Sequence, residues 1–346
     1  MSEKVNSRAA FIICWFGCLP DYFPIWMKSC EYNEKFDFLI FTDAQKWQDG
    51  PENVKYYPLS KKLLLKRIQK KIESRARLKY AYRVCDYRPM FGELFEKELK
   101  NYEFWGYCDL DLVFGQILNF VTDKMLDQYE TIFNGGHFTL MKNIPKINSL
   151  YKKEGAIFNY HTVSRHEAAF AFDETTGIQR IARRHNIKAW FGIPYIDADA
   201  KYTQLRSRMD QRNPDYQAYY WEKGHLIRVK YEEGSTFWQE IAYIHLQKRR
   251  IQILSDKEKI SDAFWICPDG YIKKEELGLP DNREIMKRNP YQGEKVLVLQ
   301  CKKYKRDKLL SIIKRNPFQI YVRLKQQVYG INSGDGKKEE IQWLKY

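Results

Sequence analysis

Tyr107-Cys108-Asp109-Leu110-Asp111-Leu112-Val113-Phe114-Gly115 sets two carboxylates one residue apart inside an apolar run. Read as one strand from Phe104 to Phe114, the segment alternates faces and points Asp109 and Asp111 the same way at its carboxyl end. Two like charges on one face repel and resist desolvation unless a cation or hydrogen-bond donors stand between them. A hard divalent cation meets that need, because it accepts a few carboxylate oxygens and completes its shell with water and phosphate. A carboxylate pair that only caps a helix or binds Arg is the plainer account of the same tripeptide.

The residues before it read as alternating strands and helices. Ala9 to Gly17 is a continuous apolar run closed by Gly, as expected of a strand buried on both faces. A helix over Asp21 to Cys30, a second buried strand over Phe36 to Asp43 and a short third one over Asn53 to Pro58 follow. From Ser60, Leu64, Ile68 and Ile72, joined by Leu65, recur at helical spacing among Lys and Arg, and Phe91 to Leu99 reads as a further helix. This order predicts an α/β fold with a doubly wound, mostly parallel sheet, whose ligand crevice lies outside the carboxyl ends of its strands. Beyond the Asp pair, Thr131 to Met141 reads as two short strands around Gly135-Gly136. Ile144 to Ile187 mixes helix and loop and holds Glu167, Asp173 and Glu174; Phe237 to Leu246 is strand-like and carries His245; Phe264 to Tyr271 is a hairpin turning at Asp269-Gly270.

Composition bounds the partners. The chain has 346 residues, 44% of them hydrophobic, and 59 Lys and Arg against 44 Asp and Glu, a formal net charge of +15. The excess is concentrated: Lys61 to Arg88 carries +9 and Cys301 to Val328 carries +8, leaving −2 for the rest. A near-neutral body with two basic stripes favours anionic partners such as nucleotides or lipid phosphates. Seven scattered cysteines without zinc-ligand spacing indicate reduced thiols and a cytoplasmic protein. No apolar run reaches the roughly 18 residues that span a bilayer, and the polar start, Met1 to Arg8, is read as lacking a signal peptide. The tail holds two amphipathic stretches, Lys305 to Arg315 and Phe318 to Val328, broken at Asn316-Pro317. Basic residues are expected on one side and Leu309, Leu310, Ile313, Phe318, Tyr321 and Leu324 on the other, a profile that suits a helix on an anionic membrane or one packed on the body of the protein.

Val84-Cys85-Asp86-Tyr87-Arg88-Pro89-Met90-Phe91-Gly92, Phe104 to Gly115, His137 to Asn143, Phe172-Asp173-Glu174 and His245-Leu246-Gln247-Lys248-Arg249 together resemble bacterial glycosyltransferases of the GT-A fold, from poorly characterised families of capsule and lipopolysaccharide loci. The likeness covers roughly Ala9 to Pro268 and leaves the tail unexplained. It implies a GT-A-like, Rossmann-like sheet flanked by helices, with residues 1–250 as the catalytic domain, 251–300 as a hairpin and connector packed on it, and 301–346 as a basic helical extension. It also implies sugar transfer from a nucleotide-sugar, a UDP-sugar first, to a hydroxyl of a surface polysaccharide or lipid-linked oligosaccharide. In that likeness Asp111 coordinates Mn²⁺ or Mg²⁺ directly, Asp109 meets ribose or the metal through water, and His245 is a further ligand. Asp86 would bind ribose or base and Arg88 phosphate; Trp15, with Gly17, would meet the nucleobase while Phe16 between them packs in the core, and Lys248 or Arg249 would meet the diphosphate. Asp173 and Glu174 are the candidate bases of an inverting transfer, with Glu167 in reserve, whereas a retaining enzyme could use the donor phosphate itself. The residues leave that choice open. The expected location is cytoplasmic, with peripheral contact to the inner face of the membrane.

Two other classes compete. Asp109-Leu110-Asp111 also resembles the nucleophile motif of haloacid-dehalogenase-type phosphatases, but that motif belongs on a first strand, and Asp197-Ala198-Asp199 is only a weak candidate for the later acidic motif. A nucleic-acid-binding protein would explain a pI near 9.2 and 16% aromatic residues, yet no nucleic-acid motif is present, and the reading adopted has no nucleic-acid partner.

Overall fold

The computed structural model describes residues 7–45, 50–247, 249, 252–253, 260–313, 317–330 and 344–345. Its main sheet has seven strands: β1 (Ala9–Trp15), β2 (Phe36–Thr42), β3 (Val54–Pro58), β4 (Phe104–Cys108), β6 (Thr131–Asn134), β7 (Phe138–Lys142) and β8 (Ala189–Phe191), in the spatial order β3-β2-β1-β4-β7-β6-β8. β3, β2, β1 and β4 are parallel neighbours; β7 runs against both β4 and β6, and β8 is parallel to β6. Both faces are covered, which is why the first strands read as unbroken apolar runs. Ala10, Ile12, Leu39 and Phe41 pack to one side with Leu64 and Ile68 of the helix Lys61–Lys71. Phe11, Ile13, Phe38 and Ile40 pack to the other with Trp26 of the helix Phe23–Glu31.

The strand expected from Phe104 to Phe114 is two strands. β4 ends at Cys108, the chain turns through Leu110 and Asp111, and β5 (Leu112–Phe114) leaves the main sheet. β5 joins a three-stranded sheet in which β13 (Tyr243–His245) lies between it and β9 (Tyr195–Asp197). The segment Phe237 to Leu246 divides likewise, into β12 (Ser235–Glu240) and β13. The first break falls on Asp109-Leu110-Asp111, whose alternation reads as continued strand, and the second on the apolar Ile241-Ala242, so neither shows as a change of period.

A second seven-stranded sheet adds β10 (Tyr216–Glu222), β11 (His225–Glu232), β14 (Gln252–Ile253), β15 (Ala263–Ile266), β16 (Gly270–Lys273) and β17 (Leu344–Lys345) to β12. β10–β11 and β11–β12 are tight hairpins whose loops, Lys223-Gly224 and Glu233-Gly234, have positive φ at both residues, as the type I′ turn requires. The expected hairpin at Asp269-Gly270 is present as β15–β16, but β15 also pairs with β10. The boundary drawn at residue 250 therefore runs through this sheet. Between it and the three-stranded sheet, Val113, Ile196 and Ile244 meet Tyr219, Trp221 and Phe264.

The tail forms the helices Glu294–Ile313 and Pro317–Gly330. Among the described residues, no helix is long and apolar enough to cross a membrane. The longer helix does not sort basic from apolar side chains: Lys305 and Arg306 stand one turn from Leu309 and Leu310, on the same faces. The shorter one packs on the main body through Phe318 and the fully buried Val322.

Gly106 sits in β4 where an added Cβ would lie 2.1 Å from the Thr139 carbonyl oxygen of β7. That atom is sheet backbone and cannot turn aside. Gly106→Ala is expected to destabilise the protein by about 1–3 kcal/mol, read as a lower denaturation midpoint.

Candidate functional site

The three-stranded sheet assembles the site by register. His245, the last residue of β13, has Leu112 as its partner on β5 and Asp197 as its partner on β9. Asp111 immediately precedes Leu112, and its carbonyl accepts the Leu246 N–H at 2.9 Å. The imidazole is consequently flanked by carboxylates on both edges. Nε2 lies 3.4 Å from Asp111 Oδ1 and 3.8 Å from Asp109 Oδ2, while Nδ1 lies 2.9 Å from Asp197 Oδ1. Burial alone would lower the His245 pKa, but its bonds to Asp111 and Asp197 outweigh that and raise it to about 10. Asp197 is held in turn by Gln247 Nε2 at 2.5 Å and Arg208 at 3.2 Å.

Asp109 is tied from the other side. Its backbone N–H donates to the His137 carbonyl at 3.1 Å, and its Oδ1 accepts from the Arg88 guanidinium. Arg88 also donates to Asp173 Oδ2 at 3.1 Å and to the Gly136 carbonyl at 2.8 Å, with Tyr107 under its face. One planar cation thus joins the Asp pair, the acidic segment and the Gly-Gly turn. Asp173 is only 3% exposed, and burial pushes its pKa up to about 8 against the pull of Arg88. Gly136 permits the approach: a Cβ there would meet Glu174 Cγ at 2.6 Å and Asp173 Oδ2 at 3.2 Å. The His137 ring, at the end of the same turn, lies 4.4 Å from that of His245, tilted by 34°, and its Nδ1 lies 3.1 Å from the Tyr243 hydroxyl. Burial, then the neighbouring His245, lower its pKa to about 3, so it is neutral.

Several expected residues meet here: Asp109, Asp111, His245, Arg88, Asp173 and, beside Gly136, Glu174. Others do not. Asp86 was expected to face a nucleotide, but it is 2% exposed and its carboxylate accepts the N–H groups of Phe170 and Phe172 and pairs with Arg83. Asp86 and Arg88 stand two residues apart on the 3-10 helix Ala81–Met90, so they face different ways, and only Arg88 reaches the site. Arg249 was expected near a diphosphate and instead donates to the carbonyls of Asp199, Tyr202 and Thr203. Glu167 accepts the Lys79 N–H at 3.1 Å. Lys248 lies outside the described residues. Trp15 ends β1 with its indole N–H on the Cys18 carbonyl, next to Gly17, whose N–H donates to Asp43. A cleft of about 420 Å³, lined by Asp43, Tyr56, Tyr57 and Leu63 among others, opens at the same carboxyl edge.

From sequence alone Asp197 and His137 take no place at the metal site: Asp197 enters only in the weak acidic motif of a phosphatase, and His137 only as the start of a segment of the resemblance. A signal existed for Asp197: Tyr195-Ile196-Asp197 and Tyr243-Ile244-His245 share a pattern and prove to be parallel neighbours. Two triads result, Asp109/Asp111/His245 and His137/Asp197/His245, each with ligand atoms within 4.8 Å of one another. They share His245. Two carboxylates and an imidazole suit a small divalent cation in the first triad, with the Asp197 contact fixing the imidazole orientation from behind, as carboxylates behind ligating histidines do.

The model of a family of unknown function, DUF6625, matches residues 11–275. No curated protein matches the chain.

A cation at Asp109, Asp111 and His245 must displace the proton that His245 carries below a pKa of about 10. Calorimetric titration with Mn²⁺ at neutral pH is expected to release close to one proton, with affinity rising up to about tenfold per pH unit below that pKa. Asp111→Asn should abolish the binding and His245→Ala should weaken it and flatten the pH slope; tight binding without proton release would contradict the assignment.

Proposed function

We propose that this chain, which belongs to the DUF6625 family, is a metal-dependent glycosyltransferase of GT-A-like fold. It would move a sugar from a nucleotide-sugar to a hydroxyl of a surface polysaccharide or lipid-linked oligosaccharide. The observation that carries this reading is the convergence of Asp109, Asp111 and His245, with ligand atoms within 4.8 Å of one another, where the chain leaves β4 of a mixed α/β sheet. The parallel order β3-β2-β1-β4, followed by the reversed β7, supports it. So does the cleft beyond β2 and β3, a compartment of nucleoside size on the same edge. The odd number of scattered cysteines, without paired spacing, favours a cytoplasmic setting.

Asp111 and His245 would hold Mn²⁺ or Mg²⁺ directly, and Asp109 would share it while remaining oriented by Arg88. When bound, such an ion stabilises the negative charge that grows on a nucleoside diphosphate leaving group. Asp197 keeps the His245 Nε2 turned towards the Asp pair. Two roles suit the acidic candidates. Asp173 is occupied by Arg88 and positions that guanidinium, whereas Glu174 is exposed beside Gly136, where an acceptor hydroxyl can reach it. In an inverting transfer Glu174 would serve as the base.

Thermal denaturation with UDP-, GDP-, CMP- and dTDP-sugars, each with and without Mn²⁺, provides the test. The donor is expected to stabilise the protein only with metal, by about 2.7 kcal/mol at a hundredfold excess over Kd. With the donor found, Asp111→Ala should abolish turnover in a folded protein. Glu174→Gln should lower kcat by about 10²–10⁴ while leaving the donor KM near the parental value. Near-parental activity of Asp111→Ala would end the transferase reading; near-parental activity of Glu174→Gln would remove only the assigned base.

A further inference from the structure

We propose that the tail helices form a docking surface for an anionic lipid bilayer. Among the described residues, ten of the fifteen exposed large hydrophobic side chains lie between Val296 and Tyr329. The helix Pro317–Gly330 is apolar on two sides. Phe318, Val322 and Gln326 turn inward, and Tyr321, Leu324 and Val328, at helical spacing on another side, face solvent. Leu324 and Val328 are 55% and 64% exposed, where a surface helix normally places polar residues.

The helix before it supplies the charge. From Lys302 to Ser311 every residue is exposed, and Lys302, Lys303, Lys305, Arg306 and Lys308 stand against Asp307 alone. Leu309 and Leu310, 59% and 50% exposed, share this stretch. Basic side chains mixed with exposed aliphatic ones match a surface whose outer layer is anionic and whose next layer is apolar. Lipid suits the mixture better than a second copy of the chain, because two such cationic surfaces would repel. Nucleic acid offers nothing for the leucines.

The inner side of the shorter helix is tied to the acidic segment of the candidate site. Gln319 exchanges two hydrogen bonds with the backbone of Ala169, at 2.8 and 3.0 Å, and Gln326 donates to the Phe170 carbonyl. A bilayer against Leu324 and Val328 would therefore lie on the order of one helix diameter, about 10 Å, from the chain leading to Asp173 and Glu174. The benefit to a lipid-linked acceptor rests on the transferase reading; vesicle binding does not, so the two can fail separately.

Co-sedimentation of the full chain with phosphatidylcholine vesicles, with and without phosphatidylglycerol, tests the surface. Binding is expected only with the anionic lipid. Lys302→Gln/Lys303→Gln/Lys305→Gln should weaken it by about a hundredfold at low salt, and Leu324→Ser/Val328→Ser by about tenfold or more. All five side chains are exposed, so both variants should melt as the parent does. Failure of the parent to bind anionic vesicles overturns the proposal. So does parental binding by both variants, or self-association through these helices without vesicle binding.

Discussion

Two carboxylates face one imidazole, and the rest of the site is arranged to make that tolerable. Like charges about 4 Å apart in an effective dielectric near 20 repel by about 4 kcal/mol, a sizeable share of the stability of a whole domain. The protein answers with alternation. Arg88 stands on one side of Asp109, His245 faces both members of the pair, Asp197 stands behind His245, and Arg208 stands behind Asp197. Each charge thus has an opposite neighbour. The proton that Asp111 and Asp197 keep on His245, by raising its pKa to about 10, is part of this balance. A divalent cation would replace that proton as the compensating charge, which is why metal affinity and pH are tied together here.

The alternation depends on register. β5, β9 and β13 are three-residue strands with little cohesion of their own, and each is buried by Val113, Ile196 and Ile244 against the second sheet. A slip of one residue in β13 would turn His245 to the opposite face and leave Asp109 and Asp111 facing each other without it. The antiparallel sheet beneath is thus more than an appendage: it holds the strands whose ends define the site.

The half of the main sheet before the Asp pair was legible because its strands are buried on both faces and broken by helices and turn residues. The Asp pair was legible because charge inside an apolar run is conspicuous. The break between β4 and β5 was not, since both halves are buried and no change of period marks the turn. Asp86 and Arg88 looked equivalent in sequence, and only their directions on the 3-10 helix distinguish a carboxylate that holds the Phe170–Phe172 backbone from a guanidinium in the site. The place of Asp197 became visible through the pairing of β9 with β13, strands 48 residues apart whose shared Tyr-Ile pattern does not by itself say that they are neighbours. Most of the second sheet was missed because Lys223-Gly224 and Glu233-Gly234 lack the Asn or Asp that usually announces such turns.

The segment from Ala168 to Glu174 carries the acidic candidates and is secured from two directions. Asp86 accepts its N–H groups from the body of the protein, and Gln319 and Gln326 bind the backbone of Ala169 and Phe170 from the tail. Those two glutamines lie beyond the family-matched residues 11–275, whereas Asp86 and the acidic residues lie within them. Support from Asp86 thus comes from within the matched residues, and support from the tail from outside them. An added clamp with an exposed, apolar and basic outer surface can feel its surroundings in a way the buried Asp86 cannot. Any contact that orders the helix Pro317–Gly330 also orders the backbone leading to Asp173 and Glu174, because the same helix makes both sets of contacts.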